Sequence, residues 1–291
     1  MPELPEVEVT RRSLLPFLVG RRIASVKTTR PSYVFVTPPA RIRRFLQGRI
    51  PQDIDRLGKY LLLRLDDGNT FVIHLGMTGQ LFSAMATSPR LLSATARSSL
   101  PPEEQLHFKP DPHTHVVLTF DDPGPDVYFR DVRKFGKLFI LNPDEVHPRL
   151  EKLGRDALEV TGEHLFSASR KRKTPIKALL LDQAVVAGVG NIYADEALFL
   201  SGVRPTRRAA RVTRAEFHRL SDSIRQVLLR SIETGGSSIS DYVAPDGRDG
   251  AYQDERHVYA RKGEPCKRCG TAITRRVVAQ RSAHYCPICQ R

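Results

Sequence analysis

Cysteine, acid and uninterrupted apolar runs are the scarce features of this 291-residue sequence, and each shortage removes a class of protein. Four cysteines, none left over from two tight pairs, are too few for a disulfide framework in a chain of this length. No segment approaches the ~18 apolar residues needed to span a bilayer, and the first residues lack the apolar core of a signal peptide. A soluble, intracellular chain is therefore expected. Acidic residues number 32 against 46 Lys plus Arg, a formal charge of +14 with a pI near 10.0. That field draws polyanions; a membrane surface is the competing use, disfavoured by the missing apolar segment. What is present, 40% hydrophobic residues in a chain long enough for two cores, argues against global disorder.

The cysteines are Cys266, Cys269, Cys286 and Cys289, two Cys-x2-Cys pairs. Each pair closes a tight turn that aims two thiolates at one point, and the stretch between them can fold back as a hairpin to complete a tetrahedron. Four thiolates leave no open coordination position, so one structural zinc is expected. Disulfide pairing is the competing use, disfavoured by the metal-ligand spacing and by the reducing cytosol. Between the pairs, Thr274 to Val278 and Ala283 to Tyr285 read as strands joined at Ala279 to Ser282, which puts Arg281 at a loop tip.

The opening residues Met1-Pro2-Glu3-Leu4-Pro5-Glu6 carry two readings. With Met1 removed, Pro2 is a secondary amine beside a carboxylate. A backbone α-amino group titrates near ~8, so part of it is unprotonated at neutral pH and able to attack a sugar aldehyde carbon. The same residues suit an ordinary helix start, where proline fits the first turn and acids complement the dipole.

Leu4, Val7, Leu14, Leu15 and Leu18 follow a helical stripe, with Gly20 as its stop. Tyr60 to Leu65 with Thr70 to Leu75, and Val116 to Phe120 with Val127 to Arg130, flank turn residues and read as β-hairpins. Ser83 to about Pro112 has little periodicity and reads as a long surface insertion. Near Asn142 to Pro148 the composition shifts to helical patterns. The clearest runs from Thr213 to Thr234, with a Thr213 and Glu216 capping box, an apolar face of Phe217, Leu220, Ile224, Val227, Leu228 and Ile232, and Gly235-Gly236 at its end. Pro175 to Leu181 and Ile192 to Leu200 read as shorter helices joined through Gly188-Val189-Gly190-Asn191. Glycines there let backbone approach a ligand, and the next helix presents its positive end, which suits a phosphate; a plain capped turn is the alternative. The basic run Arg170 to Lys173 adds charge nearby.

Together these residues resemble the bacterial formamidopyrimidine-DNA glycosylases, base-excision enzymes that remove 8-oxoguanine and ring-opened purines. The likeness covers nearly the whole chain. It rests on the run Pro2 to Glu8, Gly58-Lys59-Tyr60, His74-Leu75-Gly76-Met77, Asp131 to Gly136, Gly188 to Ala194 and the terminal zinc hairpin. Leu4 favours the purine-directed branch over the endonuclease VIII branch, which typically has glycine there.

The resemblance implies an α+β, two-domain fold. Residues 1–145 would form a catalytic β-sandwich with an opening helix and the 83–112 insertion, and 150–235 a helix-two-turn-helix DNA-binding domain. Residues 236–255 would be a lesion-recognition loop and 256–291 a zinc β-hairpin finger. It further implies that Pro2 is the nucleophile, Glu3 the proton donor, and Lys59 and Arg281 assistants of elimination, with Glu6 holding geometry. His74, His113, Arg172, Lys177 and Asn191 would contact DNA, and Met77, Arg133 and Phe135 would fill the void left by a flipped base. Arg133 offers donors that suit an orphaned cytosine, so duplex DNA with oxidised purine opposite cytosine is the implied substrate. The implied enzyme is a monomer, cytoplasmic and on the nucleoid through DNA.

Several positions depart from the family pattern. Val132 stands where proline is common, Lys134 replaces an arginine, and Ala260 follows Tyr259 where glycine is usual. Two other readings stay open: a zinc-containing DNA-binding protein without catalysis, and an oxidised-pyrimidine glycosylase of the endonuclease VIII type.

Overall fold

The computed structural model describes residues 2–88, 108, 110–238 and 242–291. They form two compact units, Met1–His147 with Thr234–Ala251, and Pro148–Glu233 with Tyr252–Arg291. Of the stretch 236–255, read from the sequence as a separate loop, residues up to Ala251 thus fall in the first unit.

Helix α1 (Leu4–Leu18) forms where the stripe lies: Leu4, Val7, Leu14 and Leu18 are buried, and the chain turns out through Gly20 at φ +79°. Eight strands follow among the described residues of this unit. Strands β1 (Ile23–Thr28), β5 (Gly79–Ser83), β6 (Thr114–Phe120) and β7 (Val127–Asp131) make one antiparallel sheet in the order β1-β6-β7-β5. Strands β2 (Pro51–Leu57), β3 (Tyr60–Leu65), β4 (Thr70–His74) and β8 (Lys137–Leu141) make the other in the order β2-β3-β4-β8. Both expected hairpins are present, β3 with β4 and β6 with β7.

Alternation builds the core, because every second residue of a strand faces the same side. Leu61 and Leu63, Phe71 and Ile73, and Leu138 and Ile140 meet Val116 and Leu118 of the other sheet, with Val7, Leu14 and Leu18 of α1 and Ile42 and Leu46 of α2 (Pro39–Leu46) added. Burying each such side chain is worth about 1.5–3 kcal/mol over leaving it in water. Of the 83–112 insertion, residues 89–107 and 109 lie outside the described residues. Phe108 packs with Phe82, Tyr128 and Val243.

In the second unit, α3 (Gly162–Ser169) is capped by Thr161, whose hydroxyl accepts from His164 N–H. Helix α4 (Ile176–Leu181) precedes α5 (Asn191–Ser201), which is buried from Ile192 to Phe199. Helix α6 (Arg214–Glu233) buries the anticipated face and begins at the anticipated box, where Thr213 N donates to Glu216 (2.8 Å) and Glu216 N donates to Thr213 Oγ1 (3.3 Å).

The terminal hairpin pairs β9 (Thr274–Val278) with β10 (Arg281–Tyr285). The sequence reading needs correction here: the turn is the two residues Ala279 and Gln280, at φ +49° and +61°, and Arg281 is the first residue of β10, paired with Val278. Two consecutive left-handed residues are the turn geometry that matches the twist of paired strands, which draws Arg281 and Ser282 out of the loop into the ladder. No helix among the described residues is long and apolar enough to cross a membrane.

Candidate functional site

At the start of α1, Glu3 is the helix N-cap and Glu6 the third residue of the first turn. Their backbone and side chains bond reciprocally, with Glu3 N donating to Glu6 Oε2 at 2.8 Å. Glu6 has a second duty: its Oε1 accepts from Ser237 N at 2.8 Å, tying the helix start to residues 234–251 of the same unit. Gly236, at φ +85°, makes this approach possible, since a Cβ there would lie 3.2 Å from Glu6 Oε1 and 3.1 Å from the Tyr242 ring. Burial, reinforced by the charge of Glu6, pushes the Tyr242 phenol well above its ordinary range, so it stays neutral. Pro2 and Glu3 are both buried. One turn on, burial alone would raise the Glu8 carboxyl, but hydrogen bonds from Arg11 and Arg12 and the charges of Arg11 and Arg56 bring it down to about 2. Residues 239–241 of the proposed lesion loop lie outside the described residues.

A second group gathers at one end of the β2-β3-β4-β8 sheet. Lys59 sits in the turn between β2 and β3 and is only 7% exposed, unlike a solvated strand-end lysine. Tyr60, next to it, is opposite His74 in register, with ring centroids 4.6 Å apart, and Lys137 is opposite His74 on the other side. Met77 is half-buried. Phe135 is 48% exposed on a loop, with the Arg133 guanidinium 4.9 Å above its ring. An exposed aromatic held by a short loop serves no core. His113 hands its carbonyl to Asp131 N at 2.9 Å, so it borders the same loop. Burial holds His115 below its ordinary 6.5; its Nε2–H donates to the Asp131 carbonyl while Nδ1 accepts from the Thr29 hydroxyl.

In the second unit one residue expected to contact DNA lies inside the fold. Lys177, expected at the DNA surface, is 0% exposed: its ammonium donates to Asp195 Oδ1 at 2.6 Å and to the Ser282 carbonyl. An ammonium inside protein needs a counter-charge, and the cost of leaving water keeps this one with Asp195 rather than at a phosphate. Its effect is to pin β10 to α5. Asp195 Oδ2 also accepts from His284 N at 2.8 Å, and Asn191 Nδ2 reaches Ser282 Oγ at 3.5 Å, so Asn191 is brought beside the residue that follows exposed Arg281. Next to Asp195, buried Glu196 collects the N–H groups of His257, Val258 and Tyr259 at 2.8–2.9 Å. Burial raises its carboxyl, yet the His257 ring and these donors hold it below the usual carboxylate range. Arg172 is half-buried and paired with Asp182 at 2.7 Å. Gly188, at φ +114°, donates to Gln183 Oε1 at 3.0 Å in the loop before α5.

Sequence reasoning singled out neither Asp195 nor Glu196. Two adjacent acids inside an otherwise apolar helix, Ile192 to Phe199, were the available signal, because unpaired charges do not survive there.

The four cysteine Sγ atoms lie within 4.8 Å of one another, with Cys266 to Cys289 at 3.9 Å and Cys269 to Cys286 at 3.4 Å. These separations are too long for disulfides and match the edges of a tetrahedron of Zn–S bonds of about 2.3 Å. Burial and the neighbouring thiols push Cys289 up to about 12, so four thiolates coexist only around a cation. The residues fit one structural zinc, held by all four cysteines. Amides tighten the knuckles: Arg268 N points to Cys266 Sγ and Cys289 N to Cys286 Sγ, each at 3.4 Å. Phe199, Val258 and Ile273 pack against Cys266 and Cys286, so the metal site shares a core with α5.

Comparison with known families matches the formamidopyrimidine-DNA glycosylase N-terminal domain to residues 1–138, the formamidopyrimidine-DNA glycosylase H2TH domain to 153–243, and the zinc finger found in FPG and IleRS to 263–291. A formamidopyrimidine-DNA glycosylase of Stenotrophomonas maltophilia is 40% identical over 293 residues, covering 100% of both chains. The crystal structure of the MutM (FPG) protein from Thermus thermophilus is 39% identical, covers 99% of this chain and 98% of its own, and superposes with a TM-score of 0.83. A Lactococcus lactis FPG mutant in complex with a Fapy-dG containing DNA is 34% identical, covers 100% of both chains and has a TM-score of 0.85.

Proposed function

This chain belongs to the formamidopyrimidine-DNA glycosylase family, and on that premise we propose that Pro2, once Met1 is removed, is the nucleophile of a bifunctional glycosylase and AP lyase acting on oxidised purines. The protein is a base-excision DNA glycosylase whose partner is double-stranded DNA. The Pro2 nitrogen attacks C1′ of the flipped nucleotide as the bond to the base breaks, and Glu3 supplies the proton the departing base and opened sugar require. The resulting cationic iminium acidifies the C2′ proton. Its loss expels the 3′ phosphate, and a second elimination expels the 5′ phosphate. The positive end of α1 lies beside the amine and favours its unprotonated form.

The observation that carries this reading is the buried pair Pro2 and Glu3, with the Glu3 backbone fastened by Glu6 while Glu6 is itself anchored by Ser237. Lys59, His74, Asn191 and Arg281 are read as phosphate contacts, and Arg133 as the reader of cytosine opposite the lesion. The zinc supports the hairpin that carries Arg281 and takes no part in bond breaking. The enzyme would work in the bacterial cytoplasm on chromosomal DNA.

Borohydride added to protein and 8-oxoguanine duplex is expected to give an irreversible complex that Pro2→Gly greatly weakens. A chain confirmed to lack Met1 that gives no trapped complex would overturn the catalytic reading. Faster excision of dihydrouracil than of 8-oxoguanine would instead move it to oxidised pyrimidines.

A further inference from the structure

The two loops that carry Met77 and the pair Arg133 and Phe135 each cross from one sheet to the other, β4 to β5 and β7 to β8, and they are fastened to each other by buried polar groups. The Thr78 hydroxyl donates to Asp131 Oδ1 at 2.5 Å and accepts from Arg133 N at 3.1 Å, so both of its capacities are used across the gap between loops. The other Asp131 oxygen accepts from Gly136 N at 2.7 Å, closing the far end of the second loop. Asp131 is wholly buried and Thr78 nearly so. Between these bonds the two backbones touch. Gly76 is at φ +65°, and a Cβ there would lie 2.5 Å from both Gly136 N and the Phe135 carbonyl carbon. Lys134 bends the second loop through φ +57°. The wedge loop is thus held at Arg133 by Thr78 and at Gly136 by Asp131, with Gly76 packed against Phe135 and Gly136.

We infer that Thr78 and Asp131 form a latch that makes Met77 and the Arg133–Phe135 wedge a single rigid body, and that the Thr78 hydroxyl thereby sets how strictly the base opposite the lesion is read. Thr78 is a positioning residue: it bonds the main chain of Arg133, and a loop free to shift lets the Arg133 donors follow either cytosine or adenine. The specificity half of this inference rests on the reading of Met77, Arg133 and Phe135 as void fillers. The mechanical half rests on the contacts alone.

The chain contains no tryptophan, so Phe135→Trp supplies a single indole reporter on the wedge. In that background, with zinc bound and DNA absent, Thr78→Val is expected to lower the indole anisotropy, and Thr78→Ser, which keeps the hydroxyl, to restore it. Valine nearly matches threonine in shape, so the fold survives the change while Asp131 Oδ1 and Arg133 N each lose a partner. Unchanged anisotropy in Thr78→Val would overturn the latch. In the Phe135 background, single-turnover excision of 8-oxoguanine opposite cytosine and opposite adenine is the second reading. Thr78→Val should lower the cytosine-to-adenine ratio about fivefold, the scale of one ordinary hydrogen bond lost, with Thr78→Ser near the parent. A loosened wedge with an unaltered ratio would overturn the specificity half. A parent that neither traps nor excises would remove that half together with the proposed function, while the anisotropy would still decide the latch.

Discussion

Lys177 and Arg281 carry the same charge at neutral pH and are separated in role by burial. Arg281 is exposed at the start of β10, whereas Lys177 is enclosed with Asp195 and bonded to the carbonyl one residue beyond Arg281. Lys177→Met is therefore expected to cost about 3–5 kcal/mol in a urea titration, since it leaves Asp195 buried without its counter-charge. The slope of log DNA affinity against log salt should stay as in the parent, because loss of a phosphate contact would reduce it by about 1. No residue-by-residue reading of the sequence separates these two cations, since both stand a few residues after a run of basic side chains, Arg170 to Lys173 and Arg275-Arg276. The cysteines were legible because thiolate pairs at that spacing have few other uses.

At the level of elements, turns show what local sequence carries. The capping box of α6 and the β3-β4 hairpin stand where their residues point, because the bonds that define them are made within a few positions. Ala260 is the opposite case. It occupies the third place of a turn closed by Arg261 N to Val258 O at 3.1 Å, at φ +58°, a region that costs a residue with a Cβ about 1–2 kcal/mol. Glycine, usual in the family there, accepts that geometry without penalty, so the departure noted in the sequence is a strained joint. Ala260→Gly is expected to raise the stability of the chain by about 1 kcal/mol, measured as a higher urea midpoint at unchanged slope. The hairpin tip was misjudged by two residues because Ala279 and Gln280 are poor turn formers by type, and only the ladder from Thr274 to Tyr285 forces them into it.

Across the whole molecule, the surplus of positive charge is accompanied by carboxylates whose ionised forms the fold secures. Glu8 is brought from 4.5 to about 2, and Asp111, Glu196 and Glu216 are lowered by arginine, histidine or amide partners that outweigh burial. Each binds its proton less readily folded than unfolded, so the stabilisation is complete above the ordinary carboxylate range and is lost as pH falls through the folded values. Denaturant midpoints are expected to fall steeply between about pH 4.5 and 2, with part of the slope removed in Glu8→Gln. A midpoint that is flat over this window, or identical in the variant, would contradict the Glu8 assignment.

By itself the sequence determined α1, the hairpins β3-β4 and β6-β7, helices α4 to α6 and the zinc ligands, since each follows from periodicity, turn chemistry or ligand spacing within a short stretch. Tertiary structure alone decided what those pieces are fastened to. Glu6 reaches Ser237, Thr78 reaches Asp131 and Lys177 reaches Ser282, pairs separated by tens to hundreds of residues in sequence. Such pairings depend on which buried groups the packed core leaves to satisfy one another, a condition with no local signature.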